Sequence, residues 1–140
     1  MITIYNRDLD KSTVDSFNSL LSKNIKPNIA FSILGLSDII SNIIENKNKI
    51  HNKILLRYGS RSTEEKDKFT IPRENIDKFN TDMEDLNNIK HEIEFNKLNI
   101  DDLELDDKIK IQDLHNLRFM FNLTVPKVKT EGMDKFDNYQ

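Results

Sequence analysis

The stretch Pro27 to Tyr58, PNIAFSILGLSDIISNIIENKNKIHNKILLRY, decides the fold. Its apolar residues recur at alternating spacings of three and four. Ile33, Leu36, Ile40, Ile43, Ile50 and Ile54 make one seam, and Lys47 occupies the seam position between Ile43 and Ile50. That period predicts a single amphipathic helix. Pro27 suits its first turn, where a missing N–H costs nothing, and Tyr58-Gly59 places a glycine where helices commonly close with positive φ. At 1.5 Å per residue the helix would run roughly 45–50 Å, longer than a domain of this size needs for its own core. It is expected to pack against a second long helix or to reach toward a partner.

Upstream, Ile2, Thr3 and Ile4 are β-branched and alternate in face, which predicts a short opening strand ending at Tyr5 and Asn6. Ser12 followed by Asp15 resembles a capping box, and Val14, Phe17, Leu20 and Leu21 share one helical face, so a helix is expected over Ser12 to Ser22. Downstream, Gly59 to Lys68 reads as a polar connection, and Phe69-Thr70-Ile71 as a strand before Pro72. A third helix follows from about Pro72 to Lys90, with Ile76, Phe79, Met83 and Leu86 spaced like the first seam. Two such stripes, neither able to bury itself alone, predict an antiparallel hairpin in which the seams face each other.

The period then changes to two. Ile93 and Phe95 alternate with Glu92, Glu94 and Asn96, predicting a strand that pairs with the opening one, and Leu103 and Leu105 continue the rhythm as a second strand or extended segment. Gln112 to Leu123 is expected to form a last helix burying Leu114, Leu117, Met120 and Phe121. The fold class is therefore α+β, mainly α: a long antiparallel helical hairpin with a small antiparallel sheet and a short C-terminal helix. Residues 1–123 are expected to form one domain and 124–140, which lack periodicity, a flexible tail.

Composition excludes more chemistry than it suggests. Charged residues make up 32% of the 140 residues in near balance, net −3, so no field argues for nucleic acid or an anionic membrane. Cysteine is absent, which removes disulfides, thiolate metal sites and cysteine nucleophiles. The opening MITIYNRDLD lacks the pattern of a signal peptide, and no apolar run is expected to approach the roughly 20 residues that span a bilayer. His51, His91 and His115 share no metal-ligand spacing and read as surface or boundary residues. In the acidic run Asp101 to Asp107 leucines occupy alternate positions and glycine is missing, so a solvated connection is favoured over a calcium loop. Gly35, Gly59 and Gly132 are too scattered for a phosphate loop, and there is no G-x-S-x-G elbow. Lys53, Arg57, Arg61 and Lys66 are interleaved with Glu64, Glu65 and Asp67, which cancels most of the field of a basic patch. No cofactor, metal or catalytic residue is predicted, and the protein is expected not to be an enzyme.

Three residues stand out as candidates for interaction. Lys47 within the seam either fixes register and partner number or snorkels from the edge of the interface. Ile39 and Ile44 flank the seam and widen the apolar stripe beyond what one antiparallel helix covers.

Several pieces of the chain together resemble a family. Ile2 to Leu9 (ITIYNRDL), Arg57 to Gly59 (RYG), Ile76 to Asn80 (IDKFN), Glu92 to Phe95 (EIEF) and Asp113 to Met120 (DLHNLRFM) are similar to small proteins of tailed phages of low-GC bacteria, the domain of unknown function 1617 type. The similarity spans about residues 1–123. Lys110 stands where the closing helix of that family has a Ser or Thr cap. The resemblance implies phage origin, a place in the host cytoplasm or the virion, and an accessory or structural role; it brings no catalytic residues. The expected partner is a protein, viral or host, with self-association the simplest case, in virion assembly or as a virion component. The alternative is an inhibitor that binds a host defence protein or sequesters a signalling nucleotide.

Overall fold

In the computed structural model, which describes residues 1–61, 68–106 and 108–123, the long helix α2 runs Pro27–Tyr58, with the bounds its sequence predicts. Residues 124–140, with Glu64, Glu65, Lys66, Asp67 and Asp107, lie outside the described residues. The chain is α+β and mainly α. Around α2 stand α1 (Lys11–Leu21), α3 (Ile76–Asn87) and a short α4 (Ile111–Asn116). β1 (Ile2–Tyr5) pairs antiparallel with β4 (Lys90–Ile93) in the register Ile2 to Ile93 and Ile4 to His91; the pairing is as expected, but the strand lies upstream of the expected Ile93 to Phe95 and leaves Phe95 outside it. A second ribbon joins β2 (Ser60–Arg61) to β3 (Phe69–Thr70), so the polar connection after α2 begins as a strand.

One apolar core holds the parts together. Ile2, Ile4 and Ile93 from the β1–β4 pair meet Phe17 and Leu20 of α1, Ile33, Leu36, Ile40 and Ile44 of α2, and Leu103, Leu117, Met120 and Phe121 from the C-terminal segment. The hairpin of α2 and α3 is antiparallel but shorter than expected. Asp82 of α3 meets Arg57 and Tyr58, while Leu86 and Ile89, further on in α3 and just past it, stand beside Ile50 and Ile54. A helix of 12 residues spans roughly 18 Å against roughly 48 Å for the 32 of α2. It cannot cover the whole seam. Ile33, Leu36 and Ile40 therefore face the core cluster and not Ile76, Phe79 and Met83, which are exposed or half-buried.

The early end of α3 has a visible cause. Asn6, buried in the short 3-10 turn Asn6–Asp8, donates its Nδ2 to the Leu86 carbonyl at 2.9 Å and its backbone N–H to the Ile89 carbonyl at 3.0 Å. The Leu86 carbonyl, in the last turn of α3, also accepts from the Asn88 and Ile89 N–H groups, and Ile89 lies just past the helix, so Asn6 ties the end of α3 to the start of β4. His91 Nε2 bonds Asn6 Oδ1 at 2.7 Å and fixes that amide.

Other expectations are corrected. The cap of α1 is Asp10, which accepts from the Ser12 and Thr13 amides while Thr13 Oγ1 accepts from the Asp10 N–H; Ser12 and Asp15 do not form it. Gly59 has φ −131° and ψ −179°, extended and not left-handed. Glycine is needed there for space: a Cβ would stand 2.9 Å from the Thr70 carbonyl oxygen and 3.1 Å from that of Leu55. Leu103 ends a 3-10 turn, Ile100–Leu103, and not a strand, with Glu104 left-handed at φ 48° and ion-paired to Lys26. The final helix stops at Asn116; Arg118–Met120 tightens to 3-10 and Phe121 bridges to Leu98 as a parallel strand partner. That short helix begins at Lys110 with no side-chain cap, so its first amides lack the bonds that lengthen α1. Finally, an 18-residue window of α2 has mean hydropathy 1.4, long and apolar enough by length and composition to cross a membrane, although no uninterrupted apolar run is. In this fold the apolar stripe of that window walls the core.

Candidate interaction surface

The seam of α2 repeats every 3.5 residues, whereas a straight helix turns once in 3.6, so a heptad seam rotates by about 20° per repeat. Leu36, Ile43 and Ile50 trace that rotation. Leu36 is 2% exposed, Ile43 half-buried and Ile50 42% exposed. In the opposite direction around the helix Ile44 swings into the core, at 8% exposure. Ile44 is thus corrected from a flanking interaction residue to a core residue, and Ile50 from core to surface.

Lys47 is likewise committed inside the chain. Its Nζ donates to the Asn6 carbonyl at 2.8 Å and the Leu9 carbonyl at 2.7 Å, closing the 3-10 turn that holds the α3 cap. Burial pushes the ammonium below its usual range, and the nearby carboxylates of Asp10 and Asp8 offset part of that shift. The seam lysine snorkels toward backbone oxygens and fixes an intramolecular register.

Ile39 remains at the surface, 44% exposed, with Ile43, Asn46 and Ile50 continuing one stripe along the same flank. Two grooves adjoin it. The first, about 760 Å³, is lined by Ser32, Gly35, Ile39, Glu94, Phe95 and Leu98, among others. The second, about 430 Å³, lies between α2 and α3 and takes in Ile50, Lys53, Arg57, Asp82, Asp85 and Ile89. Ser32 and Ile50, Gly35 and Lys53, Leu36 and Ile54, Ile39 and Arg57 are successive pairs in the two linings. Each pair is separated by about 18 positions, five full turns, so both grooves open on one side of the helix roughly 27 Å apart. Gly35 sharpens the first groove: a Cβ there would meet nothing within 4 Å.

The remaining candidates stay apart. Among the described residues no group of three or more His, Asp or Glu side chains converges as a metal site would. His115 and its own backbone carbonyl contact Arg118, whereas His91 bonds the Asn6 side chain. Of the basic residues, Arg57 pairs with Asp82 at 3.2 Å and Arg61 lies over the Phe69 ring, so they do not gather toward one ligand. Within the described part of the acidic run, Asp102 accepts from Asn99 at 3.3 Å, Leu103 is buried and Glu104 pairs with Lys26. The sequence signal that could have found Ile50 and Gly35 was the drift itself, calculable from a helix of 32 residues. Comparison with protein-family models, curated proteins and solved structures finds no match to this chain.

Proposed function

We propose that this protein is a non-enzymatic phage protein that acts by binding another macromolecule through the uncovered flank of α2, in virion assembly or as a virion component. The observation that carries the reading is the pair Ile39 and Ile50, 44% and 42% exposed on the flank that adjoins both grooves, on a helix that also leaves Phe31, Leu34 and Leu56 exposed. Isolated exposed isoleucines are ordinary, but a line of them between two grooves resembles the apolar centre of an interface. The phage setting is drawn from the resemblance of Ile2 to Leu9, Glu92 to Phe95 and Asp113 to Met120 to the tailed-phage family.

The nucleotide-sequestering alternative has weaker support. A phosphate in the larger groove would meet the Glu94 carboxylate, and the smaller groove sets Asp82 and Asp85 beside Lys53 and Arg57. Mass spectrometry of purified virions tests the assembly reading, with this chain expected at stoichiometric copy number. A second test is capture of a virion protein that Ile39→Glu abolishes. Absence from virions together with tight binding of a nucleotide by the isolated chain would replace the reading with the alternative.

A further inference from the structure

The outer edge of β4 runs along the exposed flank of α2. Ile89, just before the strand, lines the smaller groove with Ile50, and Phe95, just after it, lines the larger groove with Ile39. In extended chain Ile89 to Phe95 spans roughly 20 Å, and Ile39 to Ile50 spans roughly 17 Å of helix. The two lines therefore lie side by side over nearly their whole length. We propose that this edge and flank together seat an extended segment of a partner protein, which adds to the sheet as a third strand beside β4 and carries basic residues at its middle, outward-facing positions. This inference rests on the reading that the flank is a binding surface.

Backbone hydrogen bonding selects the conformation of the partner. The Asn6 N–H donates to the Ile89 carbonyl at 3.0 Å, and the register continues as Ile4 to His91 and Ile2 to Ile93, so those pairs exchange the ladder bonds. The N–H and C=O groups of Lys90 and Glu92, one step out of phase, point away from β1. No hydrogen bond from another described residue reaches them. The opposite edge of the sheet is different, since Thr3 and Ile4 of β1 share a cleft with Arg118 and Phe119. From Lys90 to Leu98 there is neither proline nor glycine to interrupt pairing. β4 thus presents an open edge of the kind that strand addition uses.

Side chains divide by face. In the added strand, residues level with His91 and Ile93 turn toward α2, where Ile39, Ile43 and Ile50 offer apolar cover and Gly35 leaves room for a side chain. Residues level with Glu92 turn outward with it. Glu92 and Glu94 are exposed and have no ion-pair partner among the described residues, whereas Lys90 and Lys97 stand at the two ends. A basic residue is therefore favoured at the middle of the incoming strand and disfavoured at its ends.

The probe is a peptide, acetyl-TVKVKVT-amide, added at millimolar concentration to the full chain. In the free chain the Lys90 and Glu92 amides should exchange rapidly at every concentration, and the peptide should slow both. Of two copies of the peptide N-methylated at alternate residues, one phase should lose binding and the other keep it, because a sheet edge is read by every second residue. Acetyl-TVEVEVT-amide should bind more weakly, and Glu92→Lys combined with Glu94→Lys should weaken the basic peptide about fivefold or more. Both glutamates are exposed, so the thermal melt of that variant should not move. Equal binding of the two methylated copies, equal binding of the acidic peptide, or no binding at all would each overturn the proposal. Amides already slow in a dilute sample would mean that the chain's own residues cover the edge, and amides that slow as the chain alone is concentrated would mean that a second copy does; either result also overturns it. If the peptide fails yet Ile39→Glu abolishes capture of a virion protein, only the strand-addition inference falls; if that capture is also unchanged, the binding-surface reading falls with it.

Discussion

The Lys47 ammonium donates to the Leu9 carbonyl at 2.7 Å, joining positions 38 residues apart. Through that bond and its companion to Asn6, the middle of the longest helix holds the turn that caps α3. Replacing Lys47 by Met keeps the aliphatic stem and removes both donations. Leaving a half-buried carbonyl unpaired costs about 1–3 kcal/mol, and equilibrium urea denaturation of Lys47→Met should show a loss in that range. Amide exchange near Leu86 and Ile89 should accelerate in the same variant.

Asp10 is expected to set the acid limb of stability. The Ser12 hydroxyl, helped by the Thr13 and Ser12 amides, holds its carboxyl below the usual value of 3.8, with burial opposing. A carboxylate depressed in the folded state stabilises fully above the unfolded value and loses that contribution as pH falls through the folded one. Asp10→Ala should cost about 1 kcal/mol at neutral pH, as for other helix N-caps. The variant's deficit should shrink on acidification below about pH 4.

The two described glycines should respond with opposite signs. At Gly35, in a helix interior with no atom within 4 Å of the new methyl, Ala should stabilise a dilute sample by about 0.5–1 kcal/mol. At Gly59 the methyl would press on the Thr70 oxygen at 2.9 Å, so Gly59→Ala should destabilise despite its accessible φ. Thermal melts of the pair decide both signs.

Ile40 and Ile50 belong to one predicted seam but should behave differently. Ile40 is fully buried, and Ile40→Ala should cost about 2–5 kcal/mol. Ile50→Ala should cost under about 0.5 kcal/mol in the folding of a single chain. Comparable losses at both sites would mean that Ile50 is covered.

What was legible in the sequence were features whose causes are local. Pro27 and Gly59 bracket α2, and the alternation around Ile2 and Ile93 marks two strands that do pair. The misassigned residues have distant causes. The Asn6 side chain bonds the Leu86 carbonyl and His91, 80 and 85 positions away, so nothing near it in sequence reveals a buried cap. Ile44 and Ile50 exchanged roles because a heptad seam was laid on a straight helix of 32 residues without its rotation. Of the candidate interaction residues only Ile39 was read correctly as surface, since Lys47 is held by backbone oxygens that no side-chain pattern announces.

The pairing of β1 with β4 also governs the order of events during synthesis. Asn6 and His91, bonded in the finished protein, lie 85 positions apart. At 5–20 residues per second a ribosome needs roughly 4–17 s to travel that distance. Throughout that interval Ile2 and Ile4 have left the exit tunnel with no strand to receive them, while α1 and α2 can already form from local contacts. The opening segment therefore keeps its two core isoleucines unpaired until the arrival of β4 closes the sheet.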